Sequence, residues 1–305
     1  MVTQSFSLAI PANFNFWRTV FSHGWCVLPP FSASRERREL ERTLMLSRGT
    51  LAHCVLRGDG NEIGVTVHSH RLLRGAQLQE VGEQLRTCLR LDEDFTPFHN
   101  EAKRYPEFRW IPRTGSGRLL RAPTVFEDAV KMLLTTNCTW ALTTIMVSNL
   151  VTLAGEQLDE SHRTFPRPEA VASLSERRLR SQYKIGYRSP FLMRMARDVA
   201  EGKLDMESWR TSSLPTPELY QEITKVKGLG PYAAGNLLRL LGRCDYLALD
   251  TWVRQQYYKI HRNGRTVKDT TIERHYERFG VWKGLFFWFE MTREWHDEGR
   301  DTPIG

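Results

Sequence analysis

Two periodicities divide the chain. Between residues 6 and 70, short β-rich runs (FSLAIP, WCVLPP, ELERTLML, TLAHCVLR and IGVTVHSH) alternate with polar stretches, and RGDGN at 57–61 reads as a turn between two of them. In the last run Ile63, Val65 and Val67 alternate with small or polar neighbours, the pattern of a strand with one buried and one wet face. These runs predict an antiparallel sheet, and NFNFWRTVFSHG predicts one helix laid against it. From about Gln77 the apolar residues recur three and four apart, as in LQEVGEQLRTCLRL, and the remainder reads as mostly α. The expected fold class is therefore α+β: a β-rich N-terminal domain over residues 1–100 followed by an α-helical domain over 101–305. RTGSGRLLRAPT, residues 113–124, is rich in Gly, Ser and Arg and is expected to form the hinge before the helix VFEDAVKMLLTT.

One stretch interrupts the helical pattern, KVKGLGPYAAGNLLRLLGRCDYLALD at residues 225–250. PELYQEITKV puts Leu219, Ile223 and Val226 on one helical face, and PYAAGNLLRLLG puts Ala233, Leu237, Leu240 and Leu241 on another. KGLG between them must then be a tight turn, giving a helical hairpin over about residues 218–242. Pro231 suits the first turn of the second helix. Gly228 and Gly230 are expected to take positive φ and to leave their amides uncovered beside a helix N-terminus, whose dipole attracts anions. With Lys225 and Lys227 alongside, such a turn suits a phosphate, and it equally suits a plain helical hairpin. Asp250 lies twenty residues after Gly230, between YLAL and TWVR, where a carboxylate is costly unless capped or paired. It suits the N-cap of TWVRQQYYKI.

Composition narrows the class. At 305 residues with 41% hydrophobic residues, the chain can bury a sizeable core. No run of about 18 apolar residues occurs, and MVTQSFSLAIPANFNFW lacks the pattern of a secretory leader, so a cytosolic or nucleoid location without a membrane partner is expected. Five scattered cysteines form no CxxC pair and support no disulfide framework, zinc site or iron-sulfur cluster, and no cofactor is expected. Lys and Arg number 43 against 35 Asp and Glu, a net charge of +8 that favours a polyanionic partner. The basic patch SERRLRSQYKIGYR at 175–188 has the ordinary reading of a solvated helix face.

The hairpin VKGLGPYAAG, the length of the linker and ALDTWVR together resemble the helix-hairpin-helix, Gly/Pro-rich loop and Asp superfamily (HhH-GPD) of base-excision DNA glycosylases. APTVFEDAVKMLLTTNCTW resembles the segment leading into that family's DNA-wedging loop. TFPRPEAVASLSERRLRSQYKIGYRSPFL resembles the segment that follows in 8-oxoguanine and 3-methyladenine II type glycosylases, two branches that also carry a β-rich N-terminal part. The similarity runs over about residues 122–259. It implies that Asp250 is the catalytic residue. Breaking a base-to-sugar bond builds positive charge on the deoxyribose, which a fixed carboxylate in a poorly hydrated pocket stabilises while positioning or deprotonating the attacking water. It also implies that Gly228, Leu229, Gly230 and Tyr232, with Lys225 and Lys227, grip the phosphates beside a flipped nucleotide. A monovalent cation would sit at Gly228 and Gly230, with no metal at the catalytic site. Asn137 would fill the vacated stack or touch the opposite base, and an asparagine there equally serves to form the loop.

Departures from the family pattern narrow the branch. Bifunctional members carry a lysine two positions after the hairpin's second glycine; here that position is Tyr232, which implies a monofunctional hydrolase using water. The C-terminal cysteine cluster of the iron-sulfur branches is missing. In FGVWKGLFFWFEM, Gly284 and Trp288 stand where the 8-oxoguanine branch has glutamine and phenylalanine, and Asn236 replaces its pocket cysteine. The base pocket is expected around Tyr232, Asn236, Trp282 and Trp288, whose rings would stack on an electron-poor alkylated purine. The expected activity is that of a monomeric, monofunctional DNA glycosylase acting on double-stranded DNA with a damaged, alkylated purine. The alternatives are an oxidised-purine (8-oxoguanine-like) glycosylase and a DNA-damage-binding protein without catalysis.

Overall fold

A computed structural model describes residues 1–296. The N-terminal third folds as a five-stranded antiparallel sheet from β1 (Val2–Ala9), β2 (Phe31–Ser34), β3 (Glu39–Leu46), β4 (Thr50–Asp59) and β5 (Glu62–Ser69), in the order β1-β5-β4-β3-β2. β4 and β5 pair across the turn at Gly60, with Asp59 opposite Glu62, as RGDGN predicts. Ile63, Val65 and Val67 all face the core. WCVLPP is the exception among the predicted strands. Gly24–Val27 is a short 3-10 turn, and Pro29 and Pro30, which have no amide to donate to a ladder, lead the chain into β2 instead. The predicted helix is also shorter than its stretch: α1 (Phe16–Val20) starts where the Asn15 side chain accepts the Arg18 amide at 3.0 Å. α2 (Gly75–Leu89) covers the sheet with Val81, Leu85 and Leu89.

The helices that position the site are α3 (Val125–Thr135), α4 (Trp140–Ala154), α5 (Thr216–Lys225), α6 (Pro231–Leu240), α7 (Thr251–Arg262) and α8 (Lys283–Met291). α3 is buried from Val125 to Leu134 and is tied to the sheet by charge. Arg42 on β3 donates to both oxygens of Glu127, at 3.1 and 2.5 Å, and Lys131 donates to the same carboxylate at 2.7 Å. Burial would raise the Glu127 carboxyl, but Arg42 and Lys131 overcome it and hold the group below its ordinary range.

Segment 113–124 is not a hinge. Residues 116–122 are buried, and two arginines hold them. Arg118 donates to the carbonyls of Arg90, Glu93 and Asn13, and Arg121 to those of Thr87 and Leu240, so rigid five-donor forks fasten the segment between α2 and α6. The arginines that make the stretch look solvated are what allow it to be buried. One apolar core therefore runs from the sheet into the helices. Four of the five cysteines are buried free thiols, and Cys138 is half-buried. Among the described residues, no helix is long and apolar enough to cross a membrane.

Candidate active site

The expected hairpin is α5, a turn, and α6. Leu219 and Ile223 on α5 meet Ala233, Leu237 and Leu240 on α6 in the core, and the turn closes with the Leu229 amide donating to the Val226 carbonyl at 2.9 Å. Gly228 takes φ +99, and an added Cβ would lie 2.8 Å from the Phe191 Cβ and 2.9 Å from a Leu133 methyl, so only glycine fits. Gly230 departs from expectation. Its φ of −70 is ordinary for any residue, and an added Cβ would meet nothing within 4 Å. Its smallness keeps the groove open rather than permitting the turn.

Leu229 is a second correction. Its side chain is fully buried and its amide is spent inside the turn, so it offers nothing to a phosphate. In the first turn of α6 the Tyr232 and Ala233 amides have no acceptor within the helix, and both residues border the groove described below, Ala233 without solvent exposure. Lys227 is exposed at the turn, and Lys225 is exposed but bound to Glu222 at 2.5 Å. Neither lysine lines the groove described below. For a monovalent cation, the Val226 carbonyl is committed to Leu229 and the Gly230 carbonyl to the Ala234 amide at 2.9 Å, each oxygen retaining a second lone pair.

The turn forms one wall of an open groove of about 780 Å³. Gly228, Gly230 and Tyr232 face it together with Asn137, Tyr187 and Arg254. Asn137 is exposed in the loop between α3 and α4 at φ +47, a left-handed conformation that asparagine tolerates, and its Nδ2 donates to the Tyr187 hydroxyl at 3.4 Å. Loop formation and groove exposure thus coincide in one residue. Arg254, not anticipated from sequence, lies one turn after Asp250 and is held by Asp269 through two bonds of 2.8 Å.

A deeper cavity of about 210 Å³ adjoins the groove, and Tyr232, Asp250 and Trp252 line both. Trp25, Trp140, Trp252, Trp288 and Trp295 line it, five of the nine tryptophans in the chain, so much of its wall is aromatic. Trp252 stacks on Trp295 with centroids 4.9 Å apart, and Trp295 meets Trp288 edge-on at 5.7 Å. Hydrogen bonds fix the orientation of two others: Trp25 Nε1 donates to Asp128 at 2.7 Å and Trp288 Nε1 to the Ser22 carbonyl at 3.3 Å. His23 donates through Nε2 to the Leu120 carbonyl at 2.6 Å, and burial pushes its imidazole down to about 3, so it is neutral at physiological pH. The N-terminal part of the chain therefore contributes directly to the cavity.

Trp282 does not join it. Its ring packs on Phe98 at 5.4 Å, outside the cavity. It stands just before α8, at the end of a 3-10 turn, while Trp288 lies within the helix. Gly284 has a packing role: an added Cβ would lie 2.2 Å from the Tyr246 carbonyl oxygen, and its amide donates to the Cys244 carbonyl at 2.7 Å. α8 thus touches the backbone of the linker that leads to Asp250, leaving no room for a side chain there.

Asp250 is the N-cap of α7, its Oδ1 accepting the Val253 amide at 2.8 Å. The cap reading therefore holds, and the bond leaves the carboxylate at the junction of cavity and groove. On α6, Tyr232, Asn236 and Arg239 form an i, i+4, i+7 stripe facing the cavity. Burial, reinforced by the Asp250 charge, holds the Tyr232 phenol above its ordinary value despite the Thr135 hydroxyl, so it keeps its proton. Asn236 donates to the Tyr232 carbonyl at 3.0 Å and accepts from Arg239 at 3.1 Å. Arg239 is nearly fully buried and was not anticipated. Among the described residues, no lysine lines the cavity.

In sequence, the chain is 24% identical over 223 residues to DNA-3-methyladenine glycosylase of Bacillus subtilis, covering 68% of this chain and 73% of the relative. In structure, it matches 3-methyladenine DNA glycosylase from Archaeoglobus fulgidus with a TM-score of 0.75 at 16% identity, over 95% of this chain and 98% of the other. It matches the apo form of Clostridium acetobutylicum 8-oxoguanine glycosylase/lyase with a TM-score of 0.69 at 18% identity, over 94% and 95%. No protein-family model matches the chain. With its sheet, its hairpin and Asp250 at the groove, the chain has the fold of the helix-hairpin-helix DNA glycosylases.

Proposed function

We propose that this protein is a monofunctional base-excision-repair DNA glycosylase, acting as a monomer on double-stranded DNA and hydrolysing the bond between a flipped, alkylated purine and its sugar. The observation that carries this reading is that Asp250 lines both the aromatic cavity and the groove. A base placed in the cavity while its backbone stays in the groove puts the sugar carbon at the carboxylate. As the bond to the base lengthens, positive charge grows on the sugar, and the fixed negative charge of Asp250 stabilises it. The cap bond to Val253 occupies Oδ1, and the carboxylate has a second oxygen with which to orient the attacking water.

The aromatic walls favour a flat base, and the B. subtilis and A. fulgidus proteins are named for 3-methyladenine, which supports alkylated purines as the class of lesion without fixing its charge. Tyr232 in place of an amine supports hydrolysis without strand cleavage, because a phenol has no nitrogen with which to form a Schiff base.

The test is a panel of duplexes carrying 3-methyladenine, 1,N6-ethenoadenine, hypoxanthine, uracil or 8-oxoguanine, incubated with the protein and then split into samples with and without hot alkali. Strand breaks confined to the alkali-treated samples are expected. Breaks without alkali would overturn the monofunctional assignment. Salt-sensitive DNA binding with no base released would overturn the enzyme.

A further inference from the structure

Arg239 is the one positively charged arginine or lysine among the described residues that line the cavity. Its side chain is 3% exposed, its guanidinium carbon lies 4.3 Å from the centre of the Trp288 ring, and Nη2 donates to Asn236 at 3.1 Å. Nε is buried without a hydrogen-bond partner. Burial brings the group down to about 10, opposed by the Asp250 charge, so it stays a cation at neutral pH. Nε is covered by protein on all sides, so the part of the fork that can meet an acceptor on a base seated in the cavity is its terminal nitrogens.

The cavity thus holds a negative group, Asp250, where it adjoins the groove, and a positive one, Arg239, two helical turns along α6 from Tyr232. This polarity matches one kind of reaction. When the C1′–N9 bond of an uncharged purine breaks, the electron pair goes to N9. The sugar becomes positive and the base negative; water supplies hydroxide to C1′, and its remaining proton, taken up by Asp250, is passed on to the base, which leaves neutral. A purine methylated at N3 or N7 is already a cation and leaves as a neutral base. It gains nothing from a neighbouring guanidinium and is repelled by it on entry. The face of Trp288 that would attract such a cation is also taken by Arg239.

We infer, resting on the glycosylase reading, that Arg239 is a specificity-determining residue: its guanidinium hydrogen-bonds an acceptor of the flipped base and stabilises the negative charge of the departing one, so uncharged purine lesions are preferred over cationic ones.

The test is single-turnover base release by the wild type and Arg239→Met, of similar length and without charge, on duplexes with 1,N6-ethenoadenine or hypoxanthine and on dimethyl-sulfate-treated DNA. The wild type is expected to release an uncharged lesion faster than 3-methyladenine or 7-methylguanine. Arg239→Met should lose roughly a hundredfold on uncharged lesions, the scale of a lost electrostatic contact in a transition state, and at least tenfold less on methylated purines. Equal losses on both classes, or none, would overturn the inference. If Arg239→Met fails to fold, Arg239→Lys, which keeps the charge without the planar fork, should retain the preference, and its loss would overturn the inference. Release of methylated purines alone by the wild type would overturn this inference and leave the glycosylase reading standing. Release of no base at all would overturn the glycosylase reading itself.

Discussion

Oδ1 of Asp250 accepts the Val253 amide at 2.8 Å, so one side chain both starts α7 and stands where the cavity meets the groove. Its structural and chemical parts are separable. Asparagine caps a helix about as well as aspartate, so Asp250→Asn should unfold in urea within roughly 0.5 kcal/mol of the wild type, whereas Asp250→Ala should lose about 1 kcal/mol. A loss in the Asn variant as large as in the Ala variant would contradict the cap assignment.

The two hairpin glycines should fail in different ways. Gly228→Ala forces a Cβ into Phe191 and Leu133 at φ +99 and should cost roughly 1–3 kcal/mol of stability. Gly230→Ala has an ordinary φ and open space, so it should fold normally. Its methyl would stand in the groove where a phosphate approaches the α6 amides, and binding to an abasic duplex should weaken roughly tenfold, about 1.4 kcal/mol, by fluorescence anisotropy. Unchanged binding would place the backbone elsewhere.

The buried carboxylate that ties α3 to the sheet predicts a pH signature. Removing Glu127 leaves Arg42 and Lys131 buried without their counter-charge, so Glu127→Gln should cost about 3–5 kcal/mol in urea unfolding near neutral pH. Because the folded protein holds this carboxyl below its unfolded value of about 4.3, the stability it supplies is present above that pH and is lost as pH falls through the lower, folded value. The gap between wild type and variant should therefore narrow on acidification; a gap that widens would contradict the assignment.

Chemistry at Tyr232 has its own readout. Sodium borohydride reduces a Schiff base between a lysine and an abasic sugar to a stable adduct. With a phenol at this position and no lysine among the described residues lining the cavity, the protein should form no such adduct with DNA whose base it has released. A covalent complex on a denaturing gel would contradict this, with Lys227 the first residue to substitute.

What the sequence revealed followed from local rules. The hairpin, the cap at Asp250 and the alternation in β5 each rest on neighbours within a few residues, and each appears as expected. The misreadings came where distant partners decide the outcome. Residues 113–124 look like a hinge because of their glycines and arginines, yet Arg118 and Arg121 satisfy carbonyls as far away as Asn13 and Leu240. Trp25, Trp140 and Trp295 share no local period, and only the tertiary fold gathers them in one cavity. Trp252, two residues after Asp250, and Arg239, seven after Tyr232 on the same helical face, carried a signal that spacing could have exposed. Trp282 precedes α8 and packs on Phe98, a partner 184 residues away that no local spacing reveals.

The most direct measurement of the central claim is chromatographic detection of free base released from a lesion-bearing duplex by the wild type and by Asp250→Asn, with DNA affinity recorded in parallel. The wild type should release the base, and the variant should bind the duplex comparably while releasing it at least roughly a hundredfold more slowly, since only the charge facing the sugar has been removed. Release by Asp250→Asn at the wild-type rate would contradict the account.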